Sequence, residues 1–382
     1  MDPSEFTDNA PGELVKTIEG LWAFVPHPLP PTFDIGPTTV SRLSAADFAL
    51  GQLRGIGQTL PNAQLLITPF LRREAVLSSR IEGTIASVDQ LVLFEVEPSR
   101  DPENPDVGEV ANYVSAMKFG LARLETLPVS LRLIRELHEK LLTGVRDQDR
   151  RPGEFRQVQN AIGQQGRPPE EARYVPPPVA QMTQALSDFE FFLHESTELP
   201  FLIKLALVHF QFEAIHPFLD GNGRIGRLLL SLLICEQNYL TQPLLYLSGF
   251  FEKHRDRYID ALLRVSQVGD WAGWVEFFLE GVAEQSQDAV ERSGSLLELR
   301  EQYREKAQTA RASALPLLLI DELFQVSALT ISMARGLLDV TPVSAQRSVD
   351  RLVDLGILEE VTGQQRNRIY VAREILRTAN AE

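Results

Sequence analysis

His216-Pro217-Phe218-Leu219-Asp220-Gly221-Asn222-Gly223-Arg224-Ile225-Gly226-Arg227 places a base, a carboxylate, an amide, two guanidiniums and flexible glycines within twelve residues. An apolar run, Leu228 to Cys235, follows at once. Such a run behind a glycine-rich loop reads as a buried helix with the loop at its N-terminus. Helix N-termini present free backbone N–H groups and the positive end of the dipole, so they hold phosphates. The stretch therefore reads first as an anion site with a general base beside it.

The rest of the chain narrows the class of protein. At 382 residues it has room for two or three domains, and 44% apolar content can build a core. A net charge of −15 argues against a protein that coats polyanions, although a local basic face stays open. The single cysteine, Cys235, excludes an intrachain disulfide and a thiolate metal cluster, and in Leu-Leu-Ile-Cys it reads as a buried apolar residue. The acidic start, Met-Asp-Pro-Ser-Glu-Phe, lacks the apolar core of a signal peptide, and no apolar run is long enough for a membrane span. The expected location is cytoplasmic.

Residues 1 to about 40 are rich in proline and read as an extended arm with few donors for any ladder. Helical spacing then appears over Ser41–Gln58, about Asn62–Glu82 with a stop at Gly83, and Val88–Phe94. Glu95–Glu109, with three prolines, reads as a loop; Val110–Leu124 and Ser130–Leu142 read as amphipathic helices. From Gly144 to Pro178 two short alternating runs flank a Gly/Pro-rich tip, which predicts a small hairpin. Helices resume at Val179–Glu195, Phe201–Ile215, Leu228–Gln237, Arg255–Val265 and Trp271 to about Thr309. At the C-terminal end, helices over Pro316–Phe324, Ile331–Leu338 and Ala345–Leu355 precede strands over Ile357–Val361 and Arg368–Ala372. That order predicts a winged helix-turn-helix.

Three readings compete for the central stretch. One is a plain helix start with a satisfied core histidine, but Asp220, Asn222, Arg224 and Arg227 share the loop with His216, and five polar groups seldom converge by accident. Another is the dinucleotide fingerprint, which Gly221-x-Gly223-x-x-Gly226 matches literally. It needs a preceding strand and an acid ending the next one. Here the preceding segment has helical spacing and Leu244–Leu247 runs into Ser248-Gly249. The P-loop is excluded by the lack of Gly-Lys-Ser/Thr.

The third reading is a resemblance. His-x-Phe-x-Asp-Gly-Asn-Gly-Arg-x-x-Arg, filled by His216, Phe218, Asp220, Gly221, Asn222, Gly223, Arg224 and Arg227, resembles the full signature of the Fic family (filamentation induced by cAMP). The resemblance spans roughly residues 40 to 285 and implies a mainly α fold: a Fic-type helical core with a small β-hairpin flap. It implies a protein adenylyltransferase moving AMP from ATP to a Tyr, Ser or Thr hydroxyl of a target protein or of itself. His216 would be the catalytic base, since an imidazole titrating near 6.5 can take a hydroxyl proton near neutral pH. Asp220 would hold Mg²⁺ or Mn²⁺. Gly221, Asn222, Gly223 and Gly226 would surround the phosphates, with Arg224 and Arg227 on the β- and γ-phosphates. Phe218 would pack inward. Tyr258 resembles the position lining the adenine pocket, although Ile259 replaces the second tyrosine many relatives carry. The hairpin would dock a target segment along its edge, with Asn160, Ala161, Ile162, Gly163 and Tyr174 to Pro176 as candidates.

Ser78-Ser79-Arg80-Ile81-Glu82-Gly83 resembles the inhibitory motif of that family's second class, with Ser78, Glu82 and Gly83 at the defining places. Glu82 would pair with Arg227 and keep the γ-phosphate out. The expected domains are an N-terminal arm and inhibitory-helix region (1–110), the Fic core (111–285), and a linker helix with the winged helix-turn-helix (286–382). The last carries seven Lys/Arg against nine Asp/Glu from Pro316 to Glu382, so DNA and protein contact both stay open as its role, as does a homodimer. Two further activities stay open: a DNA-binding regulator with a nucleotide-sensing core, and a Fic enzyme that removes AMP or transfers another phosphate-containing group.

Overall fold

Two consecutive helices that are apolar nearly all round form the centre of the fold, α7 (Phe201–Ile215) and α8 (Asn222–Glu236), with every residue from Asn222 to Ile234 buried. A helix without a polar face has to be surrounded, and the other elements do this. The computed structural model describes residues 1–59, 64–98, 104, 106–144, 150–163, 168–310 and 313–381. Around the centre lie α1 (Pro37–Thr59), α2 (Gln64–Ile81), α3 (Val88–Val96), α4 (Asp106–Arg123), α5 (Leu131–Leu142) and α6 (Val179–His194). They are followed by α9 (Ser248–Lys253), α10 (Arg255–Val268) and the long α11 (Trp271–Thr309). The protein is mainly helical. The loop of six residues between α7 and α8 is the opening half of the quoted stretch, and both its ends are anchored in the core.

α11 packs along α1, runs without a break past residue 285, and contributes Trp274, Phe277 and Phe278 to the core beside α7. Beyond it come α12 (Ala314–Val326), α13 (Ile331–Leu338), α14 (Pro342–Asp354) and α15 (Arg373–Asn380). Strands β3 (Ala328–Thr330), β4 (Glu359–Glu360) and β5 (Ile369–Val371) form a small antiparallel sheet in the order β3-β5-β4. The expected Ile331–Leu338 helix has those bounds; α12 and α14 extend further than their apolar runs, α14 because Thr341 caps it with Pro342 at its first turn. The expected start near Asn62 and the Gly/Pro tip at residues 164–167 lie outside the described residues. So do residues 99–103 and 105 of the expected loop, which ends four residues early because α4 begins at Asp106. Among the described residues no helix is long and apolar enough to cross a membrane.

Two expectations need correction. The N-terminal arm holds an antiparallel hairpin, β1 (Gly12–Lys16) with β2 (Trp22–Pro26), in register Gly12↔Pro26 through Lys16↔Trp22. Its prolines stand at the ends of the ladder, so they remove no donor that the ladder needs. Among the described residues the expected flap hairpin is reduced to one bridge, Ile162↔Tyr174, with hydrogen bonds of 2.8 and 3.2 Å. Beyond it Pro176, Pro177 and Pro178 have no N–H to donate. Side chains take the carbonyls instead: Arg156 donates to Pro177 and Gln159 to Pro176.

α2 is gripped from behind by the C-terminal elements. Arg72, 5% exposed, donates to Glu95 on α3 at 2.9 Å, to Ser327 Oγ at 3.3 Å and to the Val326 carbonyl at 3.3 Å. Arg72→Met should strip both sides of donors and lower stability by about 2 kcal/mol, read as a lower urea midpoint. An unchanged midpoint would mean that apolar packing alone joins α2 to α12.

Candidate active site

α7 ends at Ile215, and His216 turns the chain with φ 48° and ψ 63°, a left-handed conformation that costs a residue with a Cβ about 1–2 kcal/mol. That turn carries the imidazole out of the helix. Its Nδ1 lies 3.3 Å from the Glu213 carbonyl, so Nδ1 carries the proton and Nε2 keeps its lone pair. Burial pulls the His216 pKa down to about 4, against the opposing pull of the Glu213 carbonyl and the Glu82 carboxylate. The ring is therefore a neutral acceptor at pH 7. Arg156, 1% exposed, holds the segment below: its Nε donates to the His216 carbonyl at 3.0 Å and its N–H to the Pro217 carbonyl at 2.9 Å.

The loop is braced from inside as well. Phe218 is fully buried, its N–H donates to Asn222 Oδ1 at 2.8 Å, and its carbonyl accepts from Asn222 Nδ2 at 2.9 Å and Asn160 Nδ2 at 3.0 Å. Asn222 was expected among the residues around the phosphates; both ends of its side-chain amide are committed to Phe218, which leaves its main-chain N–H for an anion. Gly221 at φ 74° opens α8 and, lacking a side chain, gives the first turn no cap of its own. The dipole end and its N–H groups thus face the site.

Two guanidiniums flank this helix start. Arg224, 3% exposed, pairs with Glu109 at 2.8 Å and with Asp220 at 3.3 Å, and its Nε is buried with no partner among the described residues. Asp220 also pairs with Arg150. Burial would raise the Asp220 pKa, but Arg224 and Arg150 outweigh it and hold the carboxyl below its ordinary range. Arg227, 2% exposed, donates to Ser78 Oγ and to the Ser78 carbonyl, both at 2.9 Å, and to Glu82 Oε1 at 2.8 Å. A Cβ on Gly223 would stand 2.2 Å from that same Glu82 oxygen. The Glu82 carboxylate therefore lies on the first turn of α8, where an anion would bind. Burial alone would raise its pKa, yet Arg227 brings it below the usual value. Gly83, at φ 94°, makes the turn that ends α2 and lets Glu82 reach over.

Tyr258 was expected along an adenine pocket. Its ring is 3% exposed and stacked on Phe251 at 4.4 Å, with its hydroxyl 2.7 Å from His209 Nε2. That hydroxyl feels the Arg227 charge, while burial pushes its pKa well up. Gly226 is required for a different reason: a Cβ there would meet Glu213 Oε1 at 2.3 Å. Burial pushes the Glu213 pKa up to about 8. In the flap, Asn160 touches the loop, Ile162 pairs with Tyr174, and Gly163 packs against Ala172, with Ala161 beside the small Ala23–Val175 cluster.

Residues 40–122 match the description "Fic/DOC family N-terminal" and residues 128–234 match "Fic/DOC family". Residues 40–122 and 128–234 thus belong to the Fic/DOC family. The chain is 29% identical over 208 residues to a protein of Culex quinquefasciatus named protein adenylyltransferase Fic, covering 52% of this chain and 38% of that one. Its namesake in Drosophila grimshawi is 30% identical over 205 residues, with 52% and 39% covered. A probable protein adenylyltransferase of Aquifex aeolicus is 28% identical over 209 residues, with 52% and 57% covered. The chain thus spans only about two fifths of the length of the insect relatives. The Fic fold is shared with a Fic family protein from Desulfovibrio desulfuricans G20, with a TM-score of 0.57 at 18% identity, covering 90% of this chain and 98% of that one. Fic-1 (aa134–508) from C. elegans gives 0.55 at 22% identity, covering 69% and 75%.

Sequence reasoning missed Glu109, His138, Arg150, Arg156 and Glu213. Glu109, Arg150 and Arg156 are ordinary charges in loop-like text. His138 is one polar position on an amphipathic helix. The Gly153-Glu154-Phe155-Arg156 run was visible, but nothing in it announces that Arg156 turns inward.

Proposed function

We propose that the chain is a protein adenylyltransferase, transferring AMP from ATP to a Tyr, Ser or Thr hydroxyl of a target protein or of itself. One observation carries this reading: a neutral His216 whose Nε2 is an acceptor shares a loop of a few residues with an uncapped helix start and two buried arginines. In this reading His216 Nε2 takes the proton of the hydroxyl as its oxygen bonds to the α-phosphorus. The bond from the α-phosphorus to the bridging oxygen breaks and pyrophosphate leaves. The N–H groups of Gly221 to Gly223 meet the charge on the α-phosphate oxygens. Arg224, with a spare buried Nε, and Arg227 hold the outer phosphates.

Asp220, ionised and at the mouth of the loop, fits a hard divalent cation, which typically takes one or two carboxylates and completes its shell with substrate phosphates and water. Mg²⁺ or Mn²⁺ held there would share Asp220 with the phosphates of ATP. When bound, it would neutralise charge on the phosphates. The flap residues Asn160–Gly163 would dock the target strand beside His216. Glu82, seated on Arg227 and the α8 start, would hold the enzyme at rest, with Ser78 and Gly83 positioning it. We read α12 to α15 with the β3-β5-β4 sheet as a winged helix-turn-helix whose acidic balance favours protein contact. We take the chain to act in the cytoplasm.

The test is transfer of label from ATP labelled at the α-phosphate to protein. Transfer of the γ-phosphate alone, or none by any variant, would overturn the reading. The pH profile adds a second check. The base works only when neutral and its pKa is about 4. The acid limb of kcat/KM, measured on Glu82→Gly, is therefore expected below about pH 5 rather than near the free imidazole value of about 6.5. A limb at that higher value would mean that burial does not govern His216.

A further inference from the structure

We propose that His138, on α5, is a positioning residue for the anion hole, whose Nε2–H locks the Asp220–Gly221 peptide with the Gly221 N–H facing the phosphate side. The proposal rests on the reading of this loop as a nucleotide site. His138 is fully buried and its ring lies flat on Phe218, 3.7 Å between centroids and 8° between planes. Its Nδ1 accepts the Gly153 N–H at 2.9 Å. Only a lone pair can do that, so the ring proton sits on Nε2, which donates to the Asp220 carbonyl at 3.0 Å.

The peptide unit is planar, and its C=O and N–H point to opposite sides. Drawing the Asp220 carbonyl towards α5 therefore turns the Gly221 N–H the other way, onto the side of the Asp220 carboxylate. This peptide is the one in the loop most able to flip, because Gly221, at φ 74°, adopts either hand of backbone at little cost. The neighbouring carbonyls of His216, Pro217 and Phe218 are held by Arg156, Asn222 and Asn160. The Asp220 carbonyl is held by His138. A flipped peptide would aim a carbonyl oxygen at the phosphate in place of a donor. Histidine suits the place because it combines an acceptor, a donor and a flat face in one rigid ring.

Two variants, made in the Glu82→Gly protein, separate positioning from packing. His138→Phe keeps a flat ring on Phe218 and loses both nitrogens. His138→Gln loses the ring but can donate from near the Nε2 position. The proposal expects His138→Phe to fold, with kcat for AMP transfer lowered at least about tenfold and the KM for ATP changed less. It expects His138→Gln to recover part of that kcat even if its Tm is lower. A His138→Phe protein with the parent's kcat, or losses in both variants that simply follow Tm, would overturn it. If the Glu82→Gly parent transfers no AMP, the transfer reading fails by itself. The positioning claim is then decided by calorimetric ADP affinity and the crystal structure of His138→Phe, where weakened binding with a turned Asp220–Gly221 peptide supports it, and parental affinity with an unturned peptide sinks it.

Discussion

In a Glu82→Gly background, His216→Ala is expected to reduce AMP transfer by about 10² to 10⁴, to the edge of detection. The loss should fall on kcat. Among the described residues the imidazole makes one hydrogen bond, to the Glu213 carbonyl at 3.3 Å, so its removal leaves the helix start and both arginines in place and ATP binding largely intact. Backbone strain has to be separated from chemistry, since His216 is left-handed at φ 48°. His216→Asn does that: asparagine tolerates this conformation but takes up no proton at neutral pH. Equal inactivity of both variants, with unchanged nucleotide affinity, identifies a lost base. Transfer by either variant at a parental rate would remove His216 from the chemistry.

The second large effect is expected in the opposite direction. Glu82→Gly should raise automodification from ATP labelled at the α-phosphate by about 10- to 100-fold at ATP concentrations below KM. The ion pair itself is modest, because the Glu82 side chain is 41% exposed and solvent screens it. Its effect comes from place: one carboxylate occupies both Arg227 and the α8 start, so ATP sees only the fraction of molecules in which Glu82 has left, and apparent affinity falls by that fraction. The sign with pH is defined. The Glu82 pKa lies below its ordinary value, so the pairing is fully present above the ordinary carboxylate range and is lost only as pH falls through the depressed folded value. Mild acidification should therefore not relieve wild type. Equal labelling of wild type and Glu82→Gly would remove the inhibition claim and leave the transfer reading standing.

The central stretch was legible because its residue types are costly to place together and the run behind it has no polar face. Its place between α7 and α8, with His216 beside the helix start, follows from that pattern. The approach of Glu82 to Arg227 rests on two motifs that lie far apart in the chain, and the 2.8 Å pair joins them. Side-chain direction was less legible. Asn222 reads equally well as a phosphate ligand or as a brace, and periodicity does not choose; the main-chain groups of Phe218 do. Tyr258 sits on a half-polar helix, and its burial is decided by Phe251 and Trp274 from other elements. The N-terminal hairpin was hidden by prolines that flank its ladder rather than interrupt it. His138 carried no signal, since a lone histidine on an amphipathic helix gains its meaning only from Gly153, Phe218 and Asp220 around it.

Intact and peptide mass spectrometry after incubation with ATP and Mg²⁺, on wild type, Glu82→Gly and Glu82→Gly/His216→Ala together, tests the central claim most directly. The account predicts AMP adducts on Tyr, Ser or Thr of the Glu82→Gly protein, few on wild type and none on the double variant. Adducts that persist without His216, or a Glu82→Gly protein that carries no AMP alone or with candidate target proteins, would contradict it.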